Sequence, residues 1–382
     1  MGRFGDGVGV SADLVQAAEQ AVATALAPLA GRTPDLAVVF VCGGTPEQAA
    51  DAGERACELT GAAATLGCSA GGVIGGGQGI EGLSAVSAWV GVLPGAVLRT
   101  FHLEVMPSDD GAAVIGLPER GTGADEVALL LADAISFPLD GFVSRAASAL
   151  AGLAFVGGIA HAPAGSGSAR LWVDGRVVDR GAVGVLLEGA SARPLVSQGC
   201  RPVGPAMTVT AASGNLLSQL AGAPALDKLR EVVAGLPPPD QALASRGLHL
   251  GIAADEYAED HEFLIRSLLG SEGTSLVVGD LVSVGQTVRL QVRDADAADA
   301  DLRAALARCP GQPGSGALLF SGNGRGAHLF GPSYGGAAHD GDLVRRGLAA
   351  DAVAGFFADG EIGPVAGRSH LHGFTASVLI FP

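Results

Sequence analysis

The stretch GFFADGEIGPVAGRSHLHGFTASVLIF, residues 355–381, sets Glu361, Arg368, His370 and His372 among glycines inside an otherwise apolar run. Upstream, SGNGRG (321–326) leaves a strand-like segment through a loop with little side-chain bulk, carrying Asn323, Arg325 and Gly326. Bare backbone N–H groups beside one guanidinium suit a carboxylate or another small anion. Arg325, Glu361 and His372 together offer a cation, an anion and a switchable donor, which would fit a zwitterion such as an amino acid. The same three residues read equally as an internal network, with Arg325 paired to a structural carboxylate such as Glu361.

Other chemistry-bearing residues are weighed in the same way. Cys68 and Ser69 sit where a strand runs into a turn, a place that exposes a nucleophile. A catalytic thiol needs a base and an electropositive setting, and no histidine lies near in sequence, so no catalytic residue is assigned. His370-Leu371-His372 places two imidazoles on one face of a strand, but no compact cluster of further ligands accompanies them, and no metal or other cofactor is expected. GQGIEG (77–82) satisfies GxGxxG yet leads into β-type sequence instead of a helix, so it reads as turn glycines. DADAADAD (294–301) lacks the glycine and terminal glutamate of a calcium loop and reads as a solvated helix start.

Charge and composition narrow the class. A net charge of −16 argues against a nucleic-acid partner, because phosphate neutralisation needs clustered Lys and Arg. Hydrophobic residues make up 48% of the chain and charged residues 16%, enough for extensive packing. Five cysteines without a CxxC pair read as neither a disulfide framework nor a zinc site. No apolar run reaches membrane length and no signal peptide opens the chain, so a soluble cytoplasmic protein is expected.

The elements that must position these residues alternate. Residues 11–31 read as a helix capped by Ser11, and 45–61 as a second helix with Pro46 in its first turn and Gly61 as its stop. DLAVVFVCGG and LAFVGGIA read as buried strands ending in glycine turns, and Asp174-Gly175 marks a hairpin. GNLLSQLAGAPALDKLREVVAGLPPPDQAL reads as helical and closed by its prolines. The expected fold is α/β or α+β, with mixed β-sheets flanked by helices. GCSAGGVIG (67–75) and GFFADGEIG (355–363) agree at five of nine positions, each lying between similar strands, and point to an internal duplication with two related halves.

GCSAGGVIG, AFVGGIA, GAVGVLLEG and SQGCRPVGPAMTVT, followed by LLFSGNGRG and the closing segment, resemble the FIST family in both its N-terminal and C-terminal domains. The resemblance divides the chain into an N-terminal helix region (1–34), a FIST N-terminal-type domain (35–215) and a FIST C-terminal-type domain (216–382). It implies a sensory protein of signal transduction that binds a small ligand, an amino acid or derivative being the usual suggestion. It implies no catalytic set. The alternatives are a protein-interaction module without a small ligand and a hydrolase or transferase using Cys68. With the chain ending directly after its last strand, output is expected through a separate signalling partner. Asn323, Arg325, Gly326, Glu361, His372 and Thr375 match the family pattern; Gly322 departs from it, standing where members often carry Cys. The candidate ligand site is therefore Asn323, Arg325, Gly326, Glu361, His372 and Thr375, with Cys68 and Ser69 from the matching glycine turn.

Overall fold

A computed structural model describes residues 2–108, 111–121, 125–254, 263–309 and 314–382. Contacts divide the chain into two compact units, each discontinuous in sequence. The first comprises 1–197, 302–371 and 375–382; the second comprises 198–301 with 372–374. Helices and mixed sheets combine in an α+β fold.

The first unit repeats one motif three times. In each copy a lead strand runs through a helix to a parallel second strand, then through a hairpin to a return strand antiparallel to the lead. Copy one uses Leu36–Cys42, helix Pro46–Thr60, Ala64–Ala70, hairpin strands Gly72–Gly75 and Gln78–Glu81, and Ala85–Val92. Copy two uses Glu126–Asp133, helix Leu139–Ala149, Ala154–Ala160, strands Leu171–Val173 and Arg176–Val178, and Ala182–Glu188. Copy three uses Gly316–Gly322, helix His339–Leu348, Ala352–Ala358, strands Glu361–Val365 and Arg368–His372, and Thr375–Phe381. The duplication expected from GCSAGGVIG and GFFADGEIG is thus part of a triplication. In copy two, ten residues (161–170) separate the second strand from its hairpin, against one and two in the other copies, and this insertion hides the third match in the sequence.

The hairpins are exchanged around a ring. That of copy one pairs with the second strand of copy three, through Gly355↔Ile74 and Phe356↔Val73. That of copy two pairs with copy one, through Trp172↔Gly67 and Leu171↔Cys68. That of copy three pairs with copy two, through Gly157↔Ile362 and Gly158↔Glu361. The register is the same each time. It rests on a glycine at the fourth place of every second strand: a Cβ on Gly67, Gly157 or Gly355 would run into the carbonyl of Val39, Leu130 or Leu319 on the parallel neighbour. No other residue fits there. Copies one and three also share a lock, Ser87 Oγ donating to Ile74 O at 2.6 Å and Ser377 Oγ to Ile362 O at 2.7 Å.

Both faces of these strands are buried, which is why LAVVFVC and EVALLLAD read as continuous apolar runs. Phe40, Leu129 and Phe320 point into one core common to the three sheets. Val39, Leu130 and Leu319 point outward into separate cores under the helices. Helix Pro46–Thr60 begins at Pro46 and stops at left-handed Gly61, as expected, and the structure adds a Thr45 capping box at its start. Helix Leu14–Leu26 is capped by Asp13 instead of Ser11, since the Asp13 carboxylate accepts from Val15 N and Gln16 N.

The second unit is built on a sheet that includes Cys200–Ser213, Thr287–Arg293, Leu248–Ala253 and Phe263–Glu272. Residues 216–220, expected to be helical, form strand Leu216–Leu220. The expected helix forms over Ala225–Ala234 and stops at Gly235 before the prolines, and Pro237 and Pro238 then open a second helix, Pro238–Arg246, where a missing N–H costs nothing.

Candidate functional site

At the carboxyl ends of the three second strands the next residues are Gly71, His161 and Asp359, each one place beyond Ala70, Ala160 and Ala358. The exchanged hairpins bring these ends together. His161 Nδ1 lies 2.9 Å from Asp359 Oδ2, and a Cβ on Gly71 would sit 3.5 Å from the His161 ring. Asp359 Oδ1 accepts from Asn323 Nδ2 at 2.9 Å, and Asn323 N donates to Ala358 O at 2.9 Å. An imidazole, a carboxylate and an amide therefore stand in one row. The imidazole side chain is 48% exposed and the carboxylate 30%.

Backbone bonds hold this row. His161 N donates to Ser69 O, Asp359 N to Ile159 O, and Ile159 N to Gly360 O. Ser69 Oγ donates to His161 O at 2.7 Å and accepts from Arg170 N at 2.9 Å. The bond to Asp359 raises the His161 pKa against the opposing effect of burial. The Asp359 carboxylate thus favours the imidazolium form, in which both ring nitrogens are donors.

Two buried polar groups adjoin the row in sequence, Glu361 two residues after Asp359 and Arg325 two residues after Asn323. Glu361 occupies the place held by Val73 and Leu171 in the other copies. Its Oε2 accepts from Thr375 N at 2.8 Å and Thr375 Oγ1 at 2.7 Å. Burial pushes its carboxyl up to about 8, against the lowering effect of those bonds and of Arg325. It is mostly protonated at neutral pH. Gly322 gives it room, since a Cβ there would be 2.7 Å from Glu361 Oε1.

Arg325 is fully buried and grips Asp340 with two bonds, Nε to Oδ2 at 2.7 Å and Nη2 to Oδ1 at 2.9 Å. Ser321 Oγ donates to Asp340 Oδ2 at 2.7 Å, and His339 Nδ1 lies 2.9 Å from Asp340 Oδ1. Burial alone would raise the Asp340 pKa, but the Arg325 charge and these bonds hold it well below the usual carboxylate range. The guanidinium also lies 5.3 Å from the Phe330 ring centre.

The residues singled out in sequence thus take different places. Asn323 reaches the exposed row. Arg325 is committed to Asp340 as its bidentate partner, where the sequence offered Glu361 for that role. Gly326 lets the chain turn past Glu81, whose carboxylate a Cβ would strike and whose Oε2 accepts from Ala327 N at 2.8 Å. Thr375 serves Glu361. Ser69 braces His161. Cys68 lies in the core, its thiol raised well above 9.0 by burial and by Asp359, a setting opposite to that of a nucleophilic thiolate. His372 groups with the second unit and is buried there.

His161, Asp359 and Asp340 were missed. A three-way comparison carries the signal for the first two, because His161 stands four residues after Gly157 as Asp359 does after Gly355. Among the described residues no group of three or more His, Cys, Asp or Glu side chains is placed to hold a metal ion. Among them, too, no helix is long and apolar enough to cross a membrane.

Comparison with known proteins bears on what such a site serves. Residues 35–223 match the FIST N domain and residues 225–364 the FIST C domain. The uncharacterized protein Rv0628c of Mycobacterium tuberculosis is 42% identical over 388 residues, spanning 99% of each chain. The uncharacterized protein Mb0898c of Mycobacterium bovis is 41% identical over 388 residues, spanning 99% of this chain and 98% of its own. Carrying both domains in order, the chain belongs to the FIST family, whose domains are associated with signal transduction and ligand sensing.

Proposed function

We propose that this protein is a small-ligand-binding sensor whose ligand sits on the row formed by His161, Asp359 and Asn323. One observation carries the reading: the row is half exposed, and it gathers at the carboxyl ends of parallel strands, where open sheets leave room for ligands. An amino acid or derivative suits its chemistry. The His161 imidazolium meets a carboxylate, and the remaining lone pairs of Asp359 accept from an ammonium. Arg325 and Glu361 shape the floor without touching the ligand. Five free thiols fit a reducing, cytoplasmic setting, and the signal passes to a separate output protein.

The test is a thermal-shift titration of the full chain with amino acids, amines, carboxylates and nucleotides, on wild type, His161→Ala and Asp359→Asn. A ligand of the folded state raises the melting temperature with concentration. The expected result is a rise with an amino acid in wild type that both variants lose. A rise kept by both variants moves the ligand away from the strand ends. No rise at millimolar concentration favours an interaction module that recognises another protein.

A further inference from the structure

The second unit holds an anomaly of a different kind. His249 on strand Leu248–Ala253 and Gln291 on strand Thr287–Arg293 face each other as direct antiparallel partners. They are 7% and 1% exposed. Among the described residues neither ring nitrogen of His249 and neither polar atom of the Gln291 side chain has a hydrogen-bond partner. Buried polar groups in folded proteins are nearly always satisfied, so four orphaned atoms side by side call for a missing partner.

The surroundings look prepared for one. Neighbouring residues on these strands, Leu250, Ile252, Leu290 and Val292, enter the apolar core on the opposite face. The Gln291 amide lies across Gly251, whose Cβ would come within 2.7 Å of Nε2 and 3.2 Å of Phe263 Cβ. The Phe374 ring lies 4.4 Å from the His249 ring and 5.0 Å from the Arg293 guanidinium, on a backbone held at φ 66°. Cys200, Phe263 and Ile265 complete an apolar border. A few polar groups in an apolar lining are the usual composition of a small-molecule pocket.

We infer that the His249–Gln291 pair is a second ligand site, one that takes an uncharged amide or lactam group. Burial, with Arg293 beside it, pushes the His249 imidazole down to about 4. It is therefore neutral at neutral pH, with one donor and one acceptor, and the Gln291 amide likewise offers both. A carboxylate answers the donors alone and an ammonium the acceptors alone. An amide presents N–H and C=O in one plane, answers both, and enters an apolar border at a lower desolvation cost than either ion. This site is independent of the row at His161.

The experiment follows the His249 imidazole resonances of the full chain during titration with 2-pyrrolidinone and acetamide, with acetate and methylammonium as controls. The lactam is expected to move the resonances saturably. Gln291→Leu, which removes two orphaned atoms and should fold at least as well as wild type, weakens binding by about tenfold or more through the lost hydrogen bonds. Should that variant fail to fold, His249→Phe is read by lactam-dependent thermal shift and should lose it. His161→Ala leaves lactam binding intact, which separates this site from the first. Unmoved resonances in wild type, or equal shifts in Gln291→Leu, would overturn the site and leave internal water as the partner. Acetate acting as strongly as the lactam would overturn the ligand class.

Discussion

Asn323 and Arg325 lie two residues apart on one loop and meet opposite environments. Asn323 stands at the surface and joins Asp359 and His161 in a solvated row. Arg325 turns inward, fully buried, and with Asp340, Ser321 and His339 forms a sealed cluster. Water decides what each can do. Polar atoms of the row can exchange solvent for a ligand at little cost. The cluster has exchanged its water for fixed partners, so a ligand would have to displace a bidentate ion pair. The residue that looks most like a ligand anchor in sequence is a structural pin, and the less conspicuous one reaches the surface.

Breaking the pin should produce the largest effect. Arg325→Ala leaves Asp340 buried without its main counter-charge, and about 3–5 kcal/mol of stability should be lost by chemical denaturation. Arg325→Lys should recover little, because one ammonium does not reproduce the two-pronged grip. A loss under about 1 kcal/mol would mean that the cluster admits water and that the contrast with the row is wrong.

Glu361 comes next, and its effect depends on pH. The folded state holds a proton to about 8 that the unfolded chain gives up near 4.5. Folded protein therefore binds more protons within that window, and this group's contribution to stability falls as pH rises through it. The slope should approach roughly 1.4 kcal/mol per pH unit inside the window, reduced where other groups titrate in the opposite sense. Glu361→Gln, which cannot ionise, should flatten the difference between denaturation curves taken near the two ends. An unchanged curve in the variant would show that Glu361 is ionised in the fold.

Gly322→Cys sharpens the same boundary. It restores the residue that the family resemblance suggests, but its Cβ would be 2.7 Å from Glu361 Oε1. Overpacking of this kind costs about 1–3 kcal/mol, and thermal denaturation should register it. Glu361→Ala in the same background should recover part of the loss by making room. If it recovers nothing, the loop moves away from Glu361 to admit the thiol.

How much of this was legible in the sequence follows from the range of the interactions. Short-range signals such as Pro46 in a first helical turn, Gly61 as a helix stop and Asp174-Gly175 in a hairpin act over a few residues and were readable in place. The match of Gly67 with Gly355 was visible because both glycines meet the same steric demand. Gly157 meets it too, but the insertion before its hairpin hid the third copy. The partners of Arg325 and Asp359 were not legible. Asp340 lies fifteen residues from Arg325, across the strand-to-helix connection of copy three, and His161 and Asp359 are 198 apart, made neighbours by the ring of exchanged hairpins. Periodicity reports which face of a strand is buried and says nothing about which strand ends converge.

The smallest stability effect should come from the row itself. His161→Ala or Asn323→Ala removes a half-exposed partner of Asp359, and exposed pairs contribute about 1 kcal/mol or less. The His161 pKa is raised in the fold, so its contribution is present below the ordinary value of 6.5 and fades as pH rises through the shifted one. Denaturation of His161→Ala and wild type should therefore differ slightly in mild acid and converge in mild alkali. The difference should shrink in high salt, which screens surface charge and leaves the Arg325–Asp340 pair largely untouched. A large, salt-insensitive loss in His161→Ala would place the row among the structural pins and remove the ground for a ligand there. A small loss accompanied by loss of amino-acid-dependent thermal shift would separate the two regions by role: one maintains the ring of three copies, and the other uses it.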